Sequence, residues 1–85
     1  KGQGYHGERD NQVYVNGLLK KADPELRYEP VSIGEKRYLV NTSGTIQKAT
    51  SSSSSASRPE LGKGFKDIKD SNDTVWTVDT SGIIQ

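Results

Sequence analysis

Six aromatic side chains are the residues best suited to chemistry in this 85-residue sequence, because they occur as three pairs at nearly regular spacing. The members of the pairs are nine, ten and eleven residues apart: Tyr5 and Tyr14, Tyr28 and Tyr38, and Phe65 and Trp76. Partly exposed aromatic rings can form platforms for sugar rings or cages for quaternary ammonium groups. Aromatic rings also pack repeat units together, each removing about 150 to 250 Å² from water. The spacing therefore predicts a ligand-binding set of these six residues, with a purely internal packing role as the alternative.

The other polar residues do not indicate catalytic or metal-binding chemistry. The sequence has no cysteine and a single histidine, His6, so neither a thiolate site nor a zinc site can be assembled. An Asp recurs at every third position from Asp67 to Asp73, but without the glycine and glutamate of a calcium-binding EF-hand loop. Four further acids lie in sequence that lacks the apolar surroundings needed to raise a catalytic pKa: Glu8, Asp10, Glu25 and Glu29. We expect no enzyme activity, no metal and no cofactor.

Composition predicts a small, thin and nearly neutral domain. Hydrophobic residues make up 29% of the sequence, and 12 basic residues against 11 acidic ones give a formal net charge of +1. Nucleic-acid binders normally carry a concentrated positive charge, so we expect no nucleic-acid partner. The apolar runs are far shorter than the roughly 20 residues of a transmembrane helix, so we expect no membrane insertion.

An internal repeat organises the chain. Val40–Gln47 and Val78–Gln85 match at six of eight positions, and a shorter version begins at Val15. The repeat divides the sequence into unit 1 (residues 1–23), unit 2 (24–50) and unit 3 (59–85), and residues 51–58 form a serine-rich insertion. Polyserine has no apolar side chains to offset its ordering entropy, so we predict that the insertion is flexible. The first residue is lysine rather than methionine, which suggests a fragment of a larger protein.

Each unit has the sequence pattern of a β-hairpin. Asn41–Gly44 and Asp79–Gly82 begin with Asn or Asp and end with Gly, which is typical of a type I turn followed by a left-handed glycine. Asn16-Gly17 suits a two-residue type I′ turn. No segment shows the apolar spacing of an amphipathic helix. We predict an all-β fold, a short solenoid of stacked β-hairpin or three-stranded repeat units.

The repeats resemble the cell-wall-binding, or choline-binding, repeat of Gram-positive bacterial surface and secreted proteins. The resemblance is carried by Gly64-Phe65, by Trp76–Ile84 and by Tyr38–Ile46, which follow the family's order of aromatic, Asp or Asn, Gly and apolar residues. It implies hairpins stacked into a solenoid, a secreted or cell-wall-associated location, and binding to choline-bearing teichoic acid or polysaccharide. The family's Gly-Trp is Gly4-Tyr5 and Arg27-Tyr28 here, so the chain looks like a divergent member, and we expect wall polymer or glycan rather than choline as ligand.

The sequence therefore leads to one functional hypothesis and one alternative. The hypothesis is a non-catalytic module that anchors a larger secreted bacterial protein to cell-wall polymer or extracellular polysaccharide through the six aromatic residues. The alternative is a structural spacer or self-association module in which all the aromatic rings are buried.

Overall fold

The computed structural model describes residues 4–85, and these residues form an all-β structure, as predicted. Three separate antiparallel sheets follow one another along the chain, in the strand orders β1-β2-β3, β4-β5 and β6-β7. The strands are β1 (Gly7–Arg9), β2 (Gln12–Val15), β3 (Leu18–Leu19), β4 (Tyr28–Ile33), β5 (Lys36–Asn41), β6 (Lys66–Lys69) and β7 (Val75–Val78). Within residues 4–85 the helical content is one short 3₁₀ segment, Pro59–Leu61, and no helix is long and apolar enough to cross a membrane.

Tight turns connect the strands with the backbone geometry that their sequences demand. Asn16 and Gly17 have φ values of 52° and 83°, which satisfies the type I′ requirement of positive φ at both central residues. Gly44 and Gly82 both have a φ of 84°, so the predicted left-handed glycines are confirmed.

Three loops share one further device, an Asn or Asp side chain that binds the backbone of its own loop. Each side-chain Oδ1 accepts hydrogen bonds from the N–H groups two and four residues later, at 2.8 to 3.0 Å. These side chains belong to Asn41, Asp70 and Asp79. An Asx side chain used in this way replaces backbone partners that a loop lacks. It fixes the direction in which the chain leaves each loop.

The two junctions between units have equivalent backbone contacts. Thr45 in unit 2 forms a β-bridge to Gln12 in unit 1, and Ile83 in unit 3 forms a β-bridge to Tyr38 in unit 2. On the other side, the dipeptides Thr45-Ile46 and Ile83-Ile84 pair with their own units, through Val40 and Val78. We call these two dipeptides the closing dipeptides. Each one lies between the strand of its own unit, β5 or β7, and a strand of the unit before it, β2 or β5, and we call these three strands the main strands.

Further hydrogen bonds repeat at both junctions. The N–H groups of Ile46 and Ile84 donate to the carbonyl oxygens of Asn11 and Arg37, at 2.7 Å in each case. The buried residues Ala22 and Ala49 donate their N–H groups to the carbonyl oxygens of Asn41 and Asp79, at 2.9 and 3.0 Å. The same local sequence thus makes the same contact with its neighbour twice.

The core consists of two small clusters that lie on opposite faces of β5. The first cluster comprises Val13, Val31, Tyr38, Val40 and Ile46. The second comprises Leu39, Ile68 and Val78, with Tyr28, Trp76 and Ile84 packed against it. Successive side chains of a strand point to opposite faces, so the neighbours Leu39 and Val40 enter different clusters. Both clusters contain residues from more than one unit, so the units share their cores.

The serine-rich segment makes hydrogen bonds to the neighbouring sheet, and its flexibility stays a prediction. Ser55 is only 3% exposed, and its hydroxyl group donates a hydrogen bond to the Asp67 carboxylate. The Ser57 N–H and the Thr77 hydroxyl also donate to this carboxylate, at 2.9 and 3.0 Å. Ser54 forms a β-bridge with Lys63. The polar side chains that cannot form an apolar core are held here by a carboxylate on the neighbouring sheet.

These contacts stabilise the ionised form of Asp67. The Ser55 hydroxyl makes the largest contribution, and together with Ser57 and Thr77 it lowers the pKa of the Asp67 carboxyl to about 2. The folded-state pKa therefore lies below the ordinary Asp value of about 3.9. A carboxyl with a depressed pKa stabilises the fold above the unfolded-state value and loses that contribution as the pH falls through the folded-state value.

We predict that the Asp67→Asn variant is destabilised by about 2 kcal/mol at pH 7, because hydrogen bonds to a charged group are replaced by weaker ones. The parent chain should lose stability between about pH 4 and pH 2, and the variant should lose less in that window. Urea denaturation at a series of pH values measures both effects. Asp73→Asn changes an exposed carboxylate of the β6–β7 loop and is the matched control. Equal pH profiles for Asp67→Asn and the parent chain would contradict the assignment.

We also predict that Gly82→Ala costs about 1 to 3 kcal/mol more than Gly44→Ala. The two glycines have the same φ, 84°, and close equivalent turns, so the backbone strain of an added Cβ is matched. At Gly82 the Cβ would lie 2.1 Å from Ile46 Cγ2 and 2.9 Å from the Gln47 oxygen, whereas at Gly44 the nearest atoms, of Leu19 and Lys20, would lie 3.0 Å away. Thermal and urea unfolding of both variants measures the difference. Equal losses would contradict the closer packing at Gly82.

Candidate functional site

The first unit brings two aromatic rings and a cation together. The Tyr5 and Tyr14 rings meet edge to face, with centroids 6.2 Å apart and an interplanar angle of 74°. The guanidinium carbon of Arg9 lies 4.1 Å from the centroid of the Tyr5 ring and 5.9 Å from that of Tyr14. Both distances are within the range of cation–π attraction. We refer to Tyr5, Arg9 and Tyr14 as the tyrosine–arginine site.

The β1–β2 hairpin positions this site. Gly7 pairs with Tyr14, and Arg9 pairs with Gln12, so Arg9 and Tyr14 lie on the same face of the hairpin. Gly7 has a φ of 144°, which other residues rarely adopt, and a Cβ there would be in ordinary contact with the Tyr5 ring, 3.4 Å from its hydroxyl oxygen. The Tyr5 hydroxyl donates to the Glu8 carbonyl oxygen at 2.9 Å, which fixes the orientation of the ring.

The cation of the site is open to a ligand. Within residues 4–85 the one ion pair is Arg58 with Glu60, so Arg9 is not paired with a carboxylate there. The carboxylate of its neighbour Glu8 accepts instead from the Asn11 N–H, at 3.3 Å. Arg9 is exposed, and Tyr5 is 44% exposed. An exposed guanidinium beside a ring face can donate hydrogen bonds to phosphate or hydroxyl oxygens while a sugar ring stacks next to it.

The other four aromatic residues are placed differently. Tyr38 is buried in the first core cluster, so its ring presents no face to solvent. Tyr28 and Trp76 are half-buried against the second cluster, and Phe65 is half-buried just before β6. Within the described chain, Tyr5 and Tyr14 are the one predicted pair whose rings contact each other. Tyr28 and Tyr38 contact different clusters because their positions in the β4–β5 hairpin place them on opposite faces.

Trp76 is held by a hydrogen bond to a buried carboxylate. Its indole Nε1–H donates to Asp70 Oδ2 at 3.1 Å, and Asp70 is 9% exposed. Burial alone would raise the pKa of the Asp70 carboxyl, but the hydrogen bonds from Trp76 and from the amides of Thr74 and Asn72 outweigh it and lower the pKa. The tryptophan thus takes part in the structure of its own unit.

Arg9 is not among the site residues that the sequence predicts. The signal for it lies in the Asp10-Asn11 dipeptide, whose residues adopt φ values of 55° and 66° and close the β1–β2 hairpin. A two-residue turn at this point fixes the pairing of Arg9 with Gln12 and of Gly7 with Tyr14.

Over residues 4–85 there is no pocket and no group of three or more His, Asp or Glu side chains that could hold a metal ion. A ligand of the tyrosine–arginine site would therefore be bound on an open surface. Comparison with protein-family models, with curated proteins and with solved structures finds no match for this chain.

We predict that Trp76→Phe raises the pKa of the Asp70 carboxyl, because the variant keeps the aromatic packing but loses the indole donor. The fold should also lose stability, because the variant gives up a hydrogen bond to a charged group. An NMR titration of the Asp70 carboxyl carbon measures the pKa. Tyr28→Phe removes a polar group from the same cluster and should leave the Asp70 pKa unchanged. An unchanged pKa in Trp76→Phe would contradict the role of the indole.

Proposed function

We propose that this chain is a non-catalytic repeat module that anchors a larger secreted or surface bacterial protein to cell-wall polymer or extracellular glycan. The observation that supports it most directly is the tyrosine–arginine site, an exposed guanidinium on a tyrosine ring with no carboxylate partner among the described residues. Aromatic faces suit sugar rings, and guanidinium groups suit phosphate and hydroxyl oxygens. A polymer that alternates sugar or polyol with phosphate, such as teichoic acid, offers both.

Choline is the less suitable ligand for this site. A quaternary ammonium group binds an aromatic face by the same attraction that holds a guanidinium there. Arg9 already occupies the Tyr5 face, at 4.1 Å from the ring centroid. A choline group would have to displace this cation, whereas an anionic polymer would be attracted by it.

The finer architecture that we propose is a solenoid-type stack of units 1 to 3. The equivalent bridges of Thr45 to Gln12 and of Ile83 to Tyr38 support it, and so does the elongated shape, with extents of 44, 25 and 19 Å. Repetition would let several weak contacts along one polymer add up, because linked sites bind at a high effective concentration.

A second candidate function is a structural spacer. The buried ring of Tyr38 and the half-buried rings of Tyr28, Phe65 and Trp76 favour it, since these aromatic residues take part in packing. The two candidates differ in what Tyr5 and Arg9 do, because a spacer has no need of an exposed cation on an aromatic face.

We predict that Arg9→Leu weakens binding to purified Gram-positive cell walls about tenfold, which corresponds to the loss of one charge-assisted contact. Co-sedimentation with intact walls and with walls stripped of teichoic acid measures the retention. Tyr5→Leu should weaken retention similarly, and added choline should displace little of the parent chain.

Arg37→Leu is the matched control, because Arg37 is also exposed on a strand and is stacked on no aromatic ring. Circular dichroism confirms that each variant is folded. Equal retention of Arg9→Leu, Tyr5→Leu and the parent chain would favour the spacer. Retention only by choline-bearing walls, reversed by choline, would instead assign the ring faces to a quaternary ammonium ligand.

A further inference from the structure

The exposed large hydrophobic residues of the described chain all lie in the first and last units. They are Tyr5, Leu18 and Val75, with 44%, 70% and 43% of their surface exposed. Tyr5 belongs to the tyrosine–arginine site. Leu18 lies on β3 and Val75 begins β7, and neither belongs to a site described above.

Leu18 occupies the position in unit 1 that the junction residues occupy in the other units. Gly17, Gly44 and Gly82 close the turns, and the residue that follows each of them is Leu18, Thr45 or Ile83. Thr45 and Ile83 each bridge to the main strand of the preceding unit. Leu18 pairs with Val15 of its own unit, and within residues 4–85 no bridge forms on its other side.

Val75 and Trp76 occupy the complementary position in unit 3. Val40 and Val78 each pair with the closing dipeptide of their own unit. Tyr38 and Trp76 lie two residues before them, so their positions are equivalent. Tyr38 is bridged by Ile83 of the next unit, and the preceding carbonyl, that of Arg37, accepts the Ile84 N–H. The equivalents in unit 3 are Trp76 and the Val75 carbonyl, and no described residue bridges to Trp76 from outside its sheet.

We propose that a second copy of this chain docks here head to tail, with its Leu18-Leu19 edge added beside the Val75-Trp76 edge of the first copy. The pairing would reproduce the bridge and the hydrogen bond of the two junctions within the chain: Leu18 would bridge to Trp76, and the Leu19 N–H would donate to the Val75 carbonyl oxygen. Gly17 would keep its present partners, because its N–H donates to the Tyr5 carbonyl oxygen at 2.8 Å and Gly4 packs on it. The contact would continue an interface that the chain already forms twice. The proposal does not rest on wall binding.

The chemistry of the two edges suits this pairing. Sheet edges that must stay unpaired usually carry charged residues or proline, and neither Leu18-Leu19 nor Val75-Trp76 contains one. Adding a strand to an open edge gains main-chain hydrogen bonds, and the exposed side chains of Leu18 and Val75 would be removed from water. Because the two edges are different surfaces, the contact is heterologous, and association continues beyond a dimer.

The test uses Leu18→Lys and Val75→Lys, each of which places a charge on one edge at an exposed position. The parent chain should increase in mass with concentration in sedimentation equilibrium, whereas each variant alone should stay monomeric. A one-to-one mixture should form a dimer and stop there, since each variant keeps one intact edge and the two intact edges are complementary. Ser32→Lys adds the same charge at an exposed position of β4 and should associate like the parent chain.

Thermal unfolding of the isolated variants checks that each is folded. A parent chain that stays monomeric at all concentrations would overturn the proposal, as would a mixture of the two variants that does not dimerise. Dimerisation of either variant alone would overturn it too, because it would show a symmetric contact. A parent chain that is monomeric but loses wall retention in both edge variants would assign the edges to the polymer instead.

Discussion

The closing dipeptide, which lies between two main strands, is the feature on which the rest of the structure depends. At each junction one N–H group reaches back to the preceding unit at 2.7 Å, while its neighbours pair with their own hairpin. A two-stranded hairpin is marginally stable in water by itself. Here the closing dipeptide pairs with its own hairpin and with the neighbouring unit. The shared clusters around Leu39 and Val40 follow from that contact. This allows a chain with only 29% hydrophobic residues to fold around two small cores.

The Asx loops determine where the closing dipeptides lie. Asn41 and Asp79 bind the N–H groups of the residues two and four positions later, the second of which begins the closing dipeptide. The left-handed glycine between these two residues packs closely on the unit before it, since a Cβ added at Gly82 would lie 2.1 Å from Ile46 Cγ2. The residues that form the turn therefore also form the contact between units. A substitution that suits the turn but adds a Cβ would disturb two units.

The features that could be predicted from the sequence are those determined by neighbouring residues. The conformations of Gly17, Gly44 and Gly82 follow from the need for positive φ after Asn or Asp, and the repeat predicted β-hairpins correctly. The hydrogen bonds of the serine-rich segment could not be predicted, because they depend on Asp67, which lies ten residues or more away in the next sheet. Arg9 was missed for a related reason. Its position over Tyr5 depends on hairpin register, whereas the aromatic spacing alone suggested three similar pairs.

The difference among the three aromatic pairs follows from the contacts between units. Tyr38 and Trp76 occupy equivalent positions, yet Tyr38 is 9% exposed and Trp76 is half-buried. The difference arises because Ile83 of the following unit bridges to Tyr38, and no described residue does so for Trp76. The Tyr38 ring is thus covered because the following unit bridges to its position on the strand. A ring available to a ligand must lie outside the junction, and the Tyr5 ring meets this condition because the β1–β2 hairpin holds it beside Arg9 rather than beneath a closing dipeptide. In such an array the number of exposed rings is set by the geometry of each hairpin, and counting aromatic residues in the sequence overestimates it.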